Sequence, residues 1–95
     1  MENKNQNEKE LIPLRTKYYS CYDKTGINMT GLFPANTDMQ AIRFIEDAVK
    51  NPESALSKHP DDYTLCYICE IDMRTGNVTD NTTRKILEVA EYATK

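Results

Sequence analysis

Leu56-Ser57-Lys58-His59-Pro60-Asp61-Asp62-Tyr63-Thr64-Leu65-Cys66-Tyr67-Ile68-Cys69-Glu70-Ile71-Asp72 is the stretch that decides the fold. A polar, proline-marked loop runs into the one segment that reads clearly as a strand. Tyr63, Leu65, Tyr67, Cys69 and Ile71 alternate onto one face, and Thr64, Cys66, Ile68, Glu70 and Asp72 onto the other. A period of two marks a strand with one face well buried. The second face is mixed rather than polar, which places this strand at the centre of a sheet.

Upstream, Arg15 to Asp23 reads as a first strand, with Tyr18, Ser20 and Tyr22 on one face and Lys17, Tyr19 and Cys21 on the other. Aromatic residues at this density favour strand over helix. Asp23-Lys24-Thr25-Gly26 is a turn in which Gly26 is free to take a positive φ. A weaker strand, Ile27 to Phe33, completes a hairpin, bent at Gly31. Thr37-Asp38-Met39-Gln40 fits a capping box, with the Thr37 hydroxyl as cap and Gln40 reaching back. The helix it opens runs to about Lys50, with Met39, Ile42, Ile45 and Val49 at helical spacing and Phe44 widening the stripe. Asn51-Pro52 stops it.

Residues 52–62 form a long loop, with a helical turn expected at Glu53 to Leu56. After the central strand, Gly76-Asn77 pivots a second turn and Val78-Thr79 begins a short strand. Thr83 to Thr94 reads as a terminal helix, with Ile86, Leu87, Val89 and Ala90 against Arg84, Lys85, Glu88 and Glu91. The order is β-β-α-β-β-α. It implies a small α+β domain whose antiparallel sheet carries helices on one face.

The chain has 95 residues, enough for a single domain. Met1 to Glu10 holds no apolar residue after the initiator, and Pro13 interrupts the short apolar run that follows. Residues 1–14 are therefore expected as a disordered tail and residues 15–95 as the domain. A core this small is modest, and dimerisation is a common remedy, so a homodimer is expected. No apolar run approaches the roughly 20 residues of a membrane span, and no secretory signal is visible, so no membrane partner is expected. Three cysteines without an export signal are expected to be reduced.

The net charge of −3 argues against a strongly basic nucleic-acid binder. The balance is uneven: residues 1–36 hold five basic and four acidic side chains, against three and five in 37–61 and four and six in 62–95. The first third is least hostile to phosphate.

Cys66-Tyr67-Ile68-Cys69 is formally a CxxC. Redox motifs of this kind sit at a helix start and zinc sites on a turn. Mid-strand, positions three apart point to opposite faces, which argues against a shared metal or a disulfide. His59, Asp61 and Asp62 lie together in the loop and suit a general base only in outline. No phosphate loop, nucleophile elbow or metalloprotease motif is present. The expectation is a non-enzymatic protein without a metal or other cofactor.

Tyr18, Tyr19, Tyr22, Tyr63 and Tyr67 all fall on expected strands, and Arg15, Lys17 and Lys24 flank the first group. Aromatic side chains bordered by bases stack nucleobases while the cations hold phosphates. Tyrosines on strands also pack cores and dimer interfaces with only the hydroxyl wet. The residues alone leave both readings open.

Residues 41–63, from Ala41-Ile42-Arg43-Phe44-Ile45-Glu46-Asp47-Ala48-Val49 to His59-Pro60-Asp61-Asp62-Tyr63, resemble the small nonstructural protein of gokushoviruses, tailless microviruses with single-stranded DNA genomes that infect bacteria. The family pattern is a Tyr-rich first strand, a helix, a loop ending in H-P-x-D-Y, and a strand running into a D-x-x-T-G turn. Tyr18 to Lys24 match the first part, and Asp72, Thr75 and Gly76 the last. The aromatic position of the helix is shifted against the pattern, and the final turn is less acidic. The resemblance implies a protein of the infected bacterial cytoplasm, absent from the mature virion and binding single-stranded DNA in genome replication or packaging. It carries over no binding residues. The residues themselves nominate Arg15, Lys17, Tyr18, Tyr19, Tyr22, Lys24 and Tyr67. The alternative is a protein–protein adaptor that contacts a host or phage replication or assembly protein. An enzyme using His59, Asp61 and Asp62 is a third reading.

Overall fold

The alternating stretch becomes β4 (Tyr63–Asp72), and it lies at the centre of the sheet. β1 (Arg15–Asp23) pairs antiparallel with it along its whole length, from Arg15 opposite Asp72 to Asp23 opposite Tyr63. β2 (Asn28–Met29) and β3 (Phe33–Ala35) flank β1 on the outer side. β5 (Val78–Asp80) and β6 (Arg84–Glu88) flank β4. The result is a six-stranded antiparallel sheet whose two edges are each made of two short strands. Short, broken edges offer little ladder for another chain to extend. Among the described residues three helices complete an α+β domain: α1 (Asp38–Lys50), α2 (Ala55–Lys58) and α3 (Ala90–Ala93), with a 3-10 turn at Pro60–Asp62. The computed structural model describes residues 14–93, so residues 1–13 of the expected tail lie outside the described residues. Leu14 is already tied down, its carbonyl accepting from the Met73 N–H at 2.8 Å.

The core sits between α1 and one sheet face. Ala41, Ile42 and Ile45 pack on Tyr19, Cys21, Leu65, Tyr67, Leu87 and Val89. Burying each large apolar side chain contributes roughly 1.5–3 kcal/mol. The Thr37 cap forms as expected, its hydroxyl accepting from the Gln40 N–H at 3.1 Å. Gln40 reaches back one residue further than a capping box would, accepting from the Asn36 N–H at 2.6 Å. Met39 and Phe44, both placed on the apolar stripe by spacing, are exposed. The stripe that meets the sheet is narrower, made of Ala41, Ile42 and Ile45.

Four further expectations are corrected. Tyr18 sits opposite Cys69 while Tyr19 sits opposite Tyr67, so Ile68 is an extra residue in a β-bulge. The bulge moves Cys69 and Ile71 to the face opposite Tyr63, Leu65 and Tyr67. Residues 84–88 form a strand rather than the start of a terminal helix, and only residues 90–93 are helical. Leu87 lies opposite Leu65 and fills the core, while β6 satisfies a ladder that β4 would otherwise leave open. The positive φ of the first turn falls on Ile27, at 56°, and not on Gly26. Gly26 is close-packed instead: a Cβ there would stand 2.6 Å from Asn28 Oδ1 and 3.1 Å from Asp23 Oδ2, so those side chains would have to shift. Finally, the helical turn after Pro52 begins at Ala55, capped by Ser54, whose hydroxyl accepts from the Ser57 N–H.

Candidate nucleic-acid interface

Strand register divides the sheet into two unlike faces. On the helix side, rows run Phe33–Tyr19–Tyr67–Arg84, Cys21–Leu65–Leu87 and Lys17–Glu70–Asp80. On the other side they run Met29–Tyr22–Thr64–Glu88, Ser20–Cys66–Lys85, Pro34–Tyr18–Cys69 and Thr16–Ile71–Val78. The core cluster lies wholly on the first side. Among the described residues no helix covers the second, so it is an open face.

The tyrosines separate accordingly. Tyr19 and Tyr67 are 0% and 4% exposed, with ring centroids 5.5 Å apart at a steep edge-on angle. The Tyr19 hydroxyl donates to Asp38 Oδ1 at 2.8 Å, and the Tyr67 hydroxyl to Asp80 Oδ2 at 2.7 Å. Burial, and then the carboxylate each faces, pushes both phenols above their ordinary range. Neither ring offers a free surface for a base: Tyr19 and Tyr67, both named among the binding candidates, pack in the core, one of the two readings the residues left open. Arg84 closes this region, its guanidinium 5.0 Å above the Tyr67 ring and 2.9 Å from Asp38 Oδ2. Burial pushes the Asp38 carboxyl up, but the hydrogen bonds from Tyr19 and Arg84 and the charges of Arg84 and Lys17 outweigh it and hold it low. Arg15 and Lys17 stand opposite Asp72 and Glu70 on this same side. They are therefore separated by the sheet from Tyr18 and Tyr22, with which the sequence grouped them.

The open face keeps Tyr18, Tyr22 and Lys24 together. Tyr18 and Tyr22 are four residues apart on one strand, a separation of roughly 13 Å. The floor between them is made of small residues, Ser20, Thr64 and Cys66, and all three are buried. Ser20 is held by its hydroxyl, which donates to the Thr30 and Gly31 carbonyls at 3.1 and 3.0 Å. At one corner Lys24 Nζ lies 2.6 Å from Glu88 Oε1, and Lys85 Nζ 3.3 Å from Glu88 Oε2. The Thr64 hydroxyl donates to Glu88 Oε1 at 3.1 Å. The Lys24 hydrogen bond holds the Glu88 carboxyl below its usual range, against burial and with help from Lys85 and Thr64. Two lysines share this one carboxylate, and Lys24 Nζ also donates to the Asp61 carbonyl at 3.1 Å. Exposed ion pairs are worth about 0–1 kcal/mol, so a phosphate can recruit either lysine at small cost.

Lys85, Thr64 and Ser20 were not singled out from the sequence, and Cys66 only as part of a CxxC. No signal in the sequence marks Lys85: strict alternation would set it on the face of Leu87 and Val89, and only the irregularity at Ile86 turns it to the open face. The bulge also overturns the reason for separating Cys66 from Cys69, since both now lie on the open face. Among the described residues, even so, no group of three or more His, Cys, Asp or Glu side chains is placed to hold a metal ion. His59 closes α2 with its backbone N–H on the Ala55 carbonyl at 2.8 Å, and its own carbonyl accepts from the Asp62 N–H at 3.0 Å. No described helix is long and apolar enough to cross a membrane.

A second feature lies on the helix side. A cleft of about 400 Å³ opens between α1, the Ser54–Leu56 turn and residues 30–33. Phe33 and Phe44 stack in its wall with centroids 4.3 Å apart, and Leu32 and Phe44 are largely exposed at its mouth. Cys21 lines it, and burial pushes that thiol up to about 11.

No curated protein and no solved structure matches this chain. The bacteriophage family described as phage ORF5 protein matches residues 16–92, which spans the whole sheet and all three helices apart from the ends. The chain belongs to the phage ORF5 protein family.

Proposed function

We propose that this phage protein is a non-enzymatic binder of single-stranded DNA, acting in genome replication or packaging in the cytoplasm of the infected host, through the open face of its sheet. The observation that carries the reading is the grouping of Tyr18, Tyr22, Lys24 and Lys85 around a floor of small residues with no helix above it. Base–aromatic stacking contributes about 1–3 kcal/mol per base and tolerates any sequence, since every base has a π-face. With two tyrosines and two lysines, both paired with Glu88, affinity belongs in the range of non-specific binders, with a dissociation constant of roughly 1–100 µM and steep salt dependence. Filter binding with single- and double-stranded oligonucleotides tests this. Retention of the single strand in low salt is expected. No retention at about 100 µM protein removes the reading.

The cleft favours a second reading, an adaptor that receives an apolar side chain of a host or phage protein between Leu32 and Phe44. A Phe44→Asp variant that keeps DNA binding but loses a captured partner would support it.

A further inference from the structure

Three donors converge on the Glu88 carboxylate. Its Oε1 accepts from Lys24 Nζ at 2.6 Å and from the Thr64 hydroxyl at 3.1 Å, and its Oε2 accepts from Lys85 Nζ at 3.3 Å. Lys24 comes from the turn after β1, Thr64 from β4 and Lys85 from β6, so the sheet itself assembles the donor set. Glu88 lies opposite Thr64, in the row that also holds Tyr22. The lysine side chains reach further into water than the carboxylate they hold, at 44% and 64% exposed against 31%. A phosphodiester brings the same chemistry as this carboxylate: two anionic oxygens that only accept.

We propose that Glu88 is an internal competitor for the strand, holding Lys24, Lys85 and the Thr64 hydroxyl until a DNA phosphate displaces it. The proposal rests on the DNA reading above and assigns the control of that same site. Two features set this contact apart from an ordinary surface ion pair. First, it is shared. Arg15 and Lys17 stand on the helix side, so one carboxylate engages both lysines that the open face brings beside Tyr22. Second, it is tethered. β6 fixes the backbone of Glu88 and Thr64 holds one of its oxygens, so it meets the lysines at the high effective concentration of a linked group, while DNA arrives from dilute solution. Each exposed pair is weak, so a strand that adds base stacking to its phosphate can displace the carboxylate. Removing the charge of Glu88 then strengthens binding. The opposite sign follows if the carboxylate serves to position the lysines for DNA.

Fluorescence anisotropy of labelled poly-dT compares the full chain with Glu88→Gln in about 0.1 M salt, where charges more than about 10 Å away are screened. Glutamine keeps the side-chain length and an oxygen for the Thr64 hydroxyl, and thermal unfolding checks that the fold survives. Glu88→Thr, uncharged and suited to a strand, is the second variant. Affinity is expected to rise about threefold to tenfold, from the release of two weak ion pairs. Asp47→Asn removes the same charge from an exposed site on α1, across the sheet, and is expected to leave affinity within about twofold. In the Lys24→Ala/Lys85→Ala background the gain from Glu88→Gln is expected to vanish, since no cation remains to be released. Binding by the parent with equal or weaker binding by both Glu88 variants overturns the proposal and leaves the DNA reading standing. A gain that Asp47→Asn matches, or that survives without the two lysines, also overturns it, because overall charge would then be the cause. No binding by the parent or by either Glu88 variant, in low salt as well, removes the DNA reading and this one together.

Discussion

Tyr19→Phe and Tyr22→Ala are predicted to have opposite phenotypes. Tyr19 is fully buried, stacked on Phe33 and edge-on to Tyr67. Phenylalanine keeps that ring packing and opens no cavity, so the loss is the hydrogen bond to Asp38 alone. A hydrogen bond to a charged group is worth about 1.5–3 kcal/mol. Asp38 is partly exposed and keeps Arg84 at 2.9 Å, which places the cost at or just below that range, about 1–1.5 kcal/mol. For a domain of this size each kcal/mol moves the melting temperature by roughly 4–8 °C, so a drop of about 4–12 °C is expected. DNA affinity is expected to stay within twofold. Tyr22→Ala removes a half-buried ring from the open face, and is expected to lower affinity for single-stranded DNA about fivefold or more through a lost stacking contact of ~1 kcal/mol or above. Calorimetry and anisotropy on both variants read the two axes. If Tyr19→Phe weakens DNA binding and leaves the melting temperature unchanged, the division of the tyrosines between core and open face is wrong.

Three other outcomes follow from the packing and the charges. Ile45→Ala empties a fully buried site between α1 and the sheet and is expected to cost about 2–4 kcal/mol in urea unfolding, whereas Phe44→Ala one position away costs less, having half its surface in water. Acid is expected to destabilise the fold. The Asp38 and Glu88 carboxyls lie below their ordinary values of 3.8 and 4.5, so the ionised forms are preferred in the folded state. Their contribution is complete above those ordinary values and is lost as pH falls through the lower folded ones. Unfolding monitored at pH 6 and pH 3 checks the sign. With a thiol reagent in native buffer, Cys69 is expected to react first, because Cys21 and Cys66 are buried and burial raises both thiols. Equal rates for all three would mean the sheet opens far more readily than its packing implies.

Much of this fold is legible in the residues because local and tertiary preferences agree. The alternation of residues 63–72, the Thr37 cap and the apolar stripe of α1 each point to the element that forms. Legibility fails where one extra residue changes a period. Ile68 is such a residue in β4 and Ile86 in β6, since Leu65 faces Leu87 while Cys66 faces Lys85. Nothing in either isoleucine announces a bulge, yet the first moves Cys69 and Ile71 to the other face. The second disguises a strand as a helix, because it places Ile86 and Leu87 side by side. The candidate site suffered from the same cause. Grouping Arg15, Lys17, Tyr18, Tyr19, Tyr22, Lys24 and Tyr67 followed nearness in sequence, while a sheet sorts residues by parity. Parity sends Tyr18 and Tyr22 one way and Lys17 and Tyr19 the other. The irregularity at Ile86, against parity, brings in Lys85, distant in the chain and paired opposite Cys66.

The most direct test of the open face as a DNA surface is fluorescence anisotropy of a labelled poly-dT oligonucleotide, titrated across salt concentrations with the parent and with Lys24→Ala/Lys85→Ala. Each phosphate contact to a single strand contributes about 0.7 to the slope of log affinity against log salt, so the double variant is expected to bind more weakly with a slope shallower by roughly 1.4. A slope identical to the parent's, or no saturable binding by the parent in low salt, contradicts the account.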